Sequence, residues 1–251
     1  MLYLIFIIGV IFGSFYNVVG LRLPKGESIV KPRSHCPNCG HVLSWYENIP
    51  VLSYIFLGGA CKKCKKPISS IYFFMELLSG ALFALCYKVF GLNINFFLSI
   101  IIASLVIIIY VSDSQYMIIN DSPLVVSLIL IFLIKLFREG IESSLMSLLY
   151  GLIVFIFAYL LLVFGYLVFK QEALGGGDIK LSFIAGMLLG PKLGVLYIIL
   201  ASFLAFPYAL YVTMKNKDHM LPFGPFLVSS LLIVFLNMNT FTKIIDTLFS
   251  I

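Results

Sequence analysis

Two aspartates sit where acids are expensive. Asp113 closes a long apolar run in Tyr110-Val-Ser-Asp113, and Asp178 opens another in Gly175-Gly-Gly-Asp178-Ile-Lys-Leu181. A charge inside or at the edge of such a run costs several kcal/mol unless it has a partner or a task. Two carboxylates a few ångströms apart cannot both ionise, so one keeps its proton while the other acts as base. Such a pair can activate water against a carbonyl, the base taking the water proton while the protonated partner polarises the carbonyl and assists the leaving amine. The glycines before Asp178 allow close backbone approach, and Lys180 lies beside them. The same triplet also reads as a turn between two helices or as an anion cradle at a helix N-terminus. The acids themselves also fit structural capping or ion coupling in a transporter.

Cys36-Pro-Asn-Cys39 and Cys61-Lys-Lys-Cys64 form two C-x-x-C pairs. Two such knuckles can supply four thiolates to one tetrahedral zinc, with no open position for catalysis, so the expected metal is structural. A loop this small builds little core unaided, and a metal would stabilise it. Disulfides or metal-free thiols are the alternative, disfavoured in a reducing compartment. His35 and His41 flank the first knuckle and read as ordinary loop histidines, and Cys86 reads as a small apolar residue within a helix. Glu76 falls several residues into an apolar run, where a buried acid needs a partner or a task.

The elements that must carry these residues are membrane helices. Of the 251 residues, 61% are hydrophobic and only 11% are charged, far from the composition of soluble domains. Eight runs approach the length needed to cross a bilayer, near 2–21, 71–90, 94–112, 123–137, 144–168, 179–191, 193–213 and 223–240, since a crossing takes about 20 apolar residues. The first reads as an anchor, not as a cleavable signal. The expected fold is therefore an all-α polytopic membrane protein of about eight transmembrane helices, with a small cytoplasmic zinc-binding cysteine domain between helices 1 and 2. The expected divisions are a first helix over 1–21, the zinc domain over 22–70 and a protease core over 71–251. With the cysteine loop in the cytoplasm, 12 of the 17 basic residues fall on that side, as the positive-inside bias requires. The net charge of +6 then needs no nucleic-acid partner, and both aspartates reach the cytoplasmic face.

Several separated strings resemble one family. Gly13-Ser-Phe-Tyr-Asn17-Val-Val-Gly-Leu-Arg22-Leu-Pro24, the cysteine pairs, Asn48-Ile-Pro50, Glu76 with Gly80, Asp113, Gly175-Gly-Gly-Asp178-Ile-Lys-Leu181 and Pro222-Phe-Gly-Pro225 look like the type IV prepilin peptidases, Gly-x-Gly-Asp aspartic proteases of the bacterial cytoplasmic membrane. The resemblance implies cleavage of the basic leader of prepilins or pseudopilins, with Asp113 and Asp178 catalytic and Gly175, Gly177 and Lys180 in the motif around the second. It also implies N-methylation of the new terminus from S-adenosylmethionine, with Glu76 expected in the substrate or methyl-transfer groove, although no G-x-G-x-x-G string supports that site independently. Asp121 matches a family acidic position of a non-catalytic kind. Here Ile119-Asn-Asp121-Ser-Pro123 departs from the family's usual Ile-Pro-Asp. Membrane lipid is the remaining expected partner. A different intramembrane protease of this motif explains the aspartates and not the cysteine loop, and a transporter would more often place its acids near mid-membrane.

Overall fold

The computed structural model describes residues 1–170, 175–215 and 221–249, and among them only helices and turns occur, with two isolated β-bridges and no strand. The chain forms two compact units, Met1–Phe96 and the residues from Phe97 onward.

The first unit rests on two membrane-length helices, α1 (Leu2–Arg22) and α3 (Ser70–Phe90). They run antiparallel, with backbones nearly touching at small residues. A Cβ on Gly9 would lie 2.8 Å from Phe83 Cβ, one on Gly13 2.8 Å from Ser79 Cβ, and one on Gly80 2.6 Å from Val10. Gly9 and Gly13 stand four apart on one face, the small-residue spacing that lets membrane helices pack by close van der Waals contact. The Ser79 hydroxyl donates to the Gly9 carbonyl at 2.7 Å and locks the crossing. Between these helices lies the cysteine loop, which holds a 3-10 turn at Trp45–Asn48 and the short α2 (Leu52–Phe56). The antiparallel bridges His35–Val42 and Ala60–Pro67 close the two cysteine knuckles.

The second unit holds most of α4 (Ile94–Tyr116), then α5 (Asp121–Phe169), α6 (Gly176–Lys215), α7 (Gly224–Leu236) and α8 (Met238–Phe249). Among the described residues, five helices are long and apolar enough to cross a membrane. Two of them, α5 with 49 residues and α6 with 40, exceed what a core of about 30 Å needs. Each breaks at a glycine whose backbone only glycine adopts readily, Gly140 (φ 81°, ψ 177°) and Gly190 (φ 76°, ψ 174°). The expected boundaries at 137–144 and 191–193 bracket or adjoin these breaks.

Contacts show that the chain turns back at both. Lys135 Nζ lies 2.6 Å from the Met187 carbonyl, and Gly151 backs onto the Met187 side chain. Unbroken helix would separate positions 135 and 151 by about 24 Å. Likewise Val154 fits between Gly186 and Gly194, where added Cβ atoms would lie 2.9 and 2.5 Å from it. The run expected as one span over 223–240 differs: α7 ends at Leu236, and the chain bends by 86° into α8. The polar Asn237, Asn239 and Thr240 interrupt the apolar run there, and their amide and hydroxyl groups are poor company for lipid.

Candidate active site and metal site

Three helix ends build the aspartate site. Asp113 lies in the last turn of α4, Asp178 in the first turn of α6, and Gly224 opens α7. Both carboxyls are buried, at 6% and 8% exposure, and they are near enough to interact electrostatically. Each is held through one oxygen by a backbone N–H, Asp113 Oδ2 by Gly224 at 3.0 Å and Asp178 Oδ2 by Gly175 at 3.0 Å. The four unpaired N–H groups of a helix start are natural partners for carboxylates.

The glycine triplet now divides by task. Gly175 supplies the N–H that orients Asp178. A Cβ on Gly177 would lie 2.6 Å from Ile119 Cβ, whereas one on Gly176 would meet nothing within 4 Å. Ile119 therefore presses against the backbone beside Asp178, and its other end reaches Gly224, where a Cβ would lie 2.8 Å from Ile119 Cδ1 and 2.9 Å from Asp113 Oδ2. One side chain thus gauges the spacing of the two helix starts that hold the acids. Lys180 points elsewhere: its ammonium pairs with Asp121 Oδ1 at 2.6 Å, both groups more than half exposed. That pair ties the start of α5 to the start of α6.

Behind Asp178 lies a hydroxyl chain that sequence reasoning missed. Ser182 Oγ donates to the Asp178 carbonyl at 2.9 Å. Its single proton is then committed, so the fully buried Tyr197 hydroxyl, 2.5 Å away, is the donor to Ser182. Ser230 of α7 donates to the Tyr197 carbonyl at 2.6 Å. Tyr197 sits in an apolar run with no motif around it, so only the reversal at Gly190 reveals its place. The Gly224 contact was signalled by the Pro222-Phe-Gly-Pro225 string alone.

Glu76 belongs to the first unit. It is buried at 8% exposure and accepts from the Val51 N–H at 2.7 Å and from the Ser14 hydroxyl. Val51 is the centre of a three-residue turn, with φ 63° and ψ −53° and its neighbours closed by Leu52 N–H to Pro50 O at 2.6 Å. That γ-turn is rare and strained, above all for a β-branched residue. One turn along α3, the Tyr72 carbonyl accepts from Asn17 Nδ2 at 3.2 Å, while the buried Asn17 Oδ1 has no partner among the described residues.

In the cysteine loop, Cys36, Cys39, Cys61 and Cys64 bring their sulfurs within 4.8 Å of one another. The Cys36–Cys64 and Cys39–Cys61 sulfurs are 3.8 and 3.9 Å apart. A zinc tetrahedron with bonds of about 2.3 Å has edges of about 3.8 Å, so the donor set can hold a metal such as zinc. Knuckle N–H groups favour the thiolates: those of Asn38 and then Cys39 bring the Cys36 thiol down to about 7. The His41 N–H favours the Cys39 thiolate too, but burial and the three neighbouring sulfurs outweigh it and push that thiol up to about 11. Crowded sulfurs of this kind suit a shared cation. His41 stands outside that cluster, with its Nε2 3.2 Å from Glu47 Oε2. Cys86 is buried within α3, away from the cluster.

Known proteins are similar to this chain in sequence. The description "Bacterial Peptidase A24 N-terminal domain" matches residues 7–90, and "Type IV leader peptidase family" matches residues 100–210. The prepilin leader peptidase/N-methyltransferase of Bacillus subtilis is 34% identical over 94% of this chain and 94% of its own length. That of Vibrio cholerae is 30% identical over 93% and 95%. That of Myxococcus xanthus is 38% identical over 69% of this chain, a match spanning 52% of the relative. No solved structure matches. With near full-length relatives of one kind and both halves matched, the chain belongs to the type IV leader peptidase family and is a multi-pass membrane peptidase.

Proposed function

We propose that this chain cleaves the leader of type IV prepilins or pseudopilins at the cytoplasmic face of the bacterial cytoplasmic membrane, with Asp113 and Asp178 as the catalytic pair. The observation that carries the reading is the shared anchoring of the two carboxyls: each is buried on a helix end and held through one oxygen by a glycine N–H. No other hydrogen bond engages either group among the described residues, so the remaining oxygens are available to a water and to the scissile carbonyl. One aspartate takes the water proton as water adds, while the other, protonated, donates to the carbonyl oxygen; the first then passes its proton to the departing amine as the second regains its own from the collapsing intermediate. Gly175 and Gly177 set the position of Asp178. Lys180 acts at one remove, by holding Asp121 and with it the start of α5.

In this reading residues 22–70 form a module built on zinc held by Cys36, Cys39, Cys61 and Cys64, which supplies rigidity and not a reaction centre. The second activity is N-methylation of the new terminus, in keeping with the N-methyltransferase names of the relatives. S-adenosylmethionine supplies the methyl group when bound. The orphaned Asn17 Oδ1 and the Glu76 carboxylate are unit-one acceptors suited to a donor-bearing group, and Glu76 also holds the strained Val51 turn. Mass spectrometry of a prepilin co-expressed with the enzyme tests both steps. Loss of the leader mass and gain of one methyl are expected; an intact leader would refute the peptidase reading.

A further inference from the structure

The cysteine loop carries an apolar edge that none of the described residues covers. Leu52, Ile55 and Phe56 stand at i, i+3 and i+4 of α2, one face of that helix, and Phe56 is 82% exposed. The opposite side is occupied, because the Tyr54 ring packs tilted against Phe73 at 5.2 Å and its hydroxyl donates to the Ile68 carbonyl. Beside α2 the 3-10 turn presents Trp45 at 76% exposure. Its neighbour Tyr46 takes a hydrogen bond from Lys62 Nζ at 2.7 Å, and the same ammonium lies 4.9 Å from its ring centre. The aromatic edge is thereby joined to the second knuckle, whose Lys62, Lys63, Lys65 and Lys66 are all exposed.

Charge selects the occupant. Residues 22–70 hold eight basic side chains against two acids, Glu27 and Glu47, and Glu47 is buried on His41 and the Ser44 N–H. The flanking membrane-length helices end at Arg22 and start at Ser70, so the loop is tethered at a bilayer surface at both ends. Exposed Trp with Phe and Leu is the chemistry of the headgroup boundary, and clustered lysines add attraction to anionic lipid. A cationic peptide would meet like charge here. We propose that this edge docks into the anionic headgroup layer of the membrane that α1 and α3 cross, with Trp45 and Phe56 inserted and the four knuckle lysines over lipid phosphates. The proposal rests on the chain's membrane character and stands apart from the peptidase reading.

Trp45 is the only tryptophan in the chain, so its fluorescence reports the contact without labelling. The full-length enzyme is placed in bilayers of phosphatidylcholine, with or without phosphatidylglycerol, containing lipids brominated near the headgroup end of the acyl chain. Bromine quenching of Trp45 is expected, stronger by about twofold with the anionic lipid. Phe56→Ser should weaken quenching in both lipids, and a combined Lys62→Gln, Lys63→Gln, Lys65→Gln, Lys66→Gln variant should lose the difference between them. Bound zinc measured in each variant shows that the loop still folds. Equal quenching in both lipids would overturn the selection by charge. A Trp45 unquenched by bromine and open to aqueous iodide would overturn the docking, as would shielding seen only after a prepilin is added.

Discussion

The N–H of Gly224 donates to Asp113 Oδ2 at 3.0 Å across 111 positions of sequence. The start of α7 is therefore part of the aspartate site, although no titratable or nucleophilic side chain marks it. Since a Cβ on Gly224 would lie 2.9 Å from that same oxygen, the contact needs a glycine for its space.

The triplet before Asp178 should tolerate change at its centre only. Gly177→Ala forces a Cβ into Ile119, and misplacement of a catalytic group by about 1 Å can cost on the order of a hundredfold. Gly177→Ala and Gly224→Ala are expected to lose that much cleavage. Gly176→Ala, whose Cβ meets nothing, should stay within about threefold of the parent, as alanine also favours helix over glycine. Leader cleavage rates in matched detergent preparations make the comparison.

Removing the Tyr197 hydroxyl should slow chemistry without weakening substrate binding. Tyr197→Phe frees Ser182 and loosens the first turn of α6, so kcat is expected to fall about tenfold with KM unchanged, because both residues lie buried behind Asp178. Ser182→Ala should do the same, and the double variant should cost no more than the worse single one, as expected for one chain of hydrogen bonds. Additive losses would show that the two act separately.

Each chain should carry one zinc. Cys36→Ser or Cys61→Ser should release it and loosen the loop, while Cys86→Ser should leave metal content unchanged. Thiolates must be deprotonated to bind metal, and backbone N–H groups already favour the Cys36 thiolate. Metal should therefore be held at neutral pH and above and lost as pH falls and the thiolates protonate. Elemental analysis after dialysis at stepped pH gives the result.

The break in α6 should depend on Lys135. Met187 would ordinarily bond the N–H four residues on, but that residue is Pro191, which has none. The Lys135 ammonium serves the freed carbonyl instead. Lys135→Met should lower stability by about 1–3 kcal/mol, the cost of an unsatisfied buried group, seen as a lower melting temperature with the aspartate site intact.

The sequence made some of this legible and hid the rest for physical reasons. The cysteine quartet was readable because short knuckles fix their own geometry, and the aspartates because charge is conspicuous in apolar helices. The reversals at Gly140 and Gly190 fell near the expected span boundaries because long apolar runs exceed one bilayer thickness. Tyr197, Ser182 and Ile119 were invisible, since their roles arise from packing between distant segments and leave no local pattern. Lys180 read as part of the aspartate site by proximity in sequence, yet a helix start carries residue 180 away from residue 178, toward Asp121. The Gly9–Gly13 spacing was present and went unused, because small residues in a membrane helix matter only once a partner helix is known.

Hydrolysis of the leader peptide is proposed to need Asp113 and Asp178 together. The most direct test is the cleavage rate of a prepilin by purified Asp113→Asn and Asp178→Asn enzymes, each shown to be membrane-inserted and zinc-loaded like the parent. Cleavage should fall to background in both, since an amide can neither serve as the base nor take over the shared proton. Cleavage retained by either variant would contradict the account.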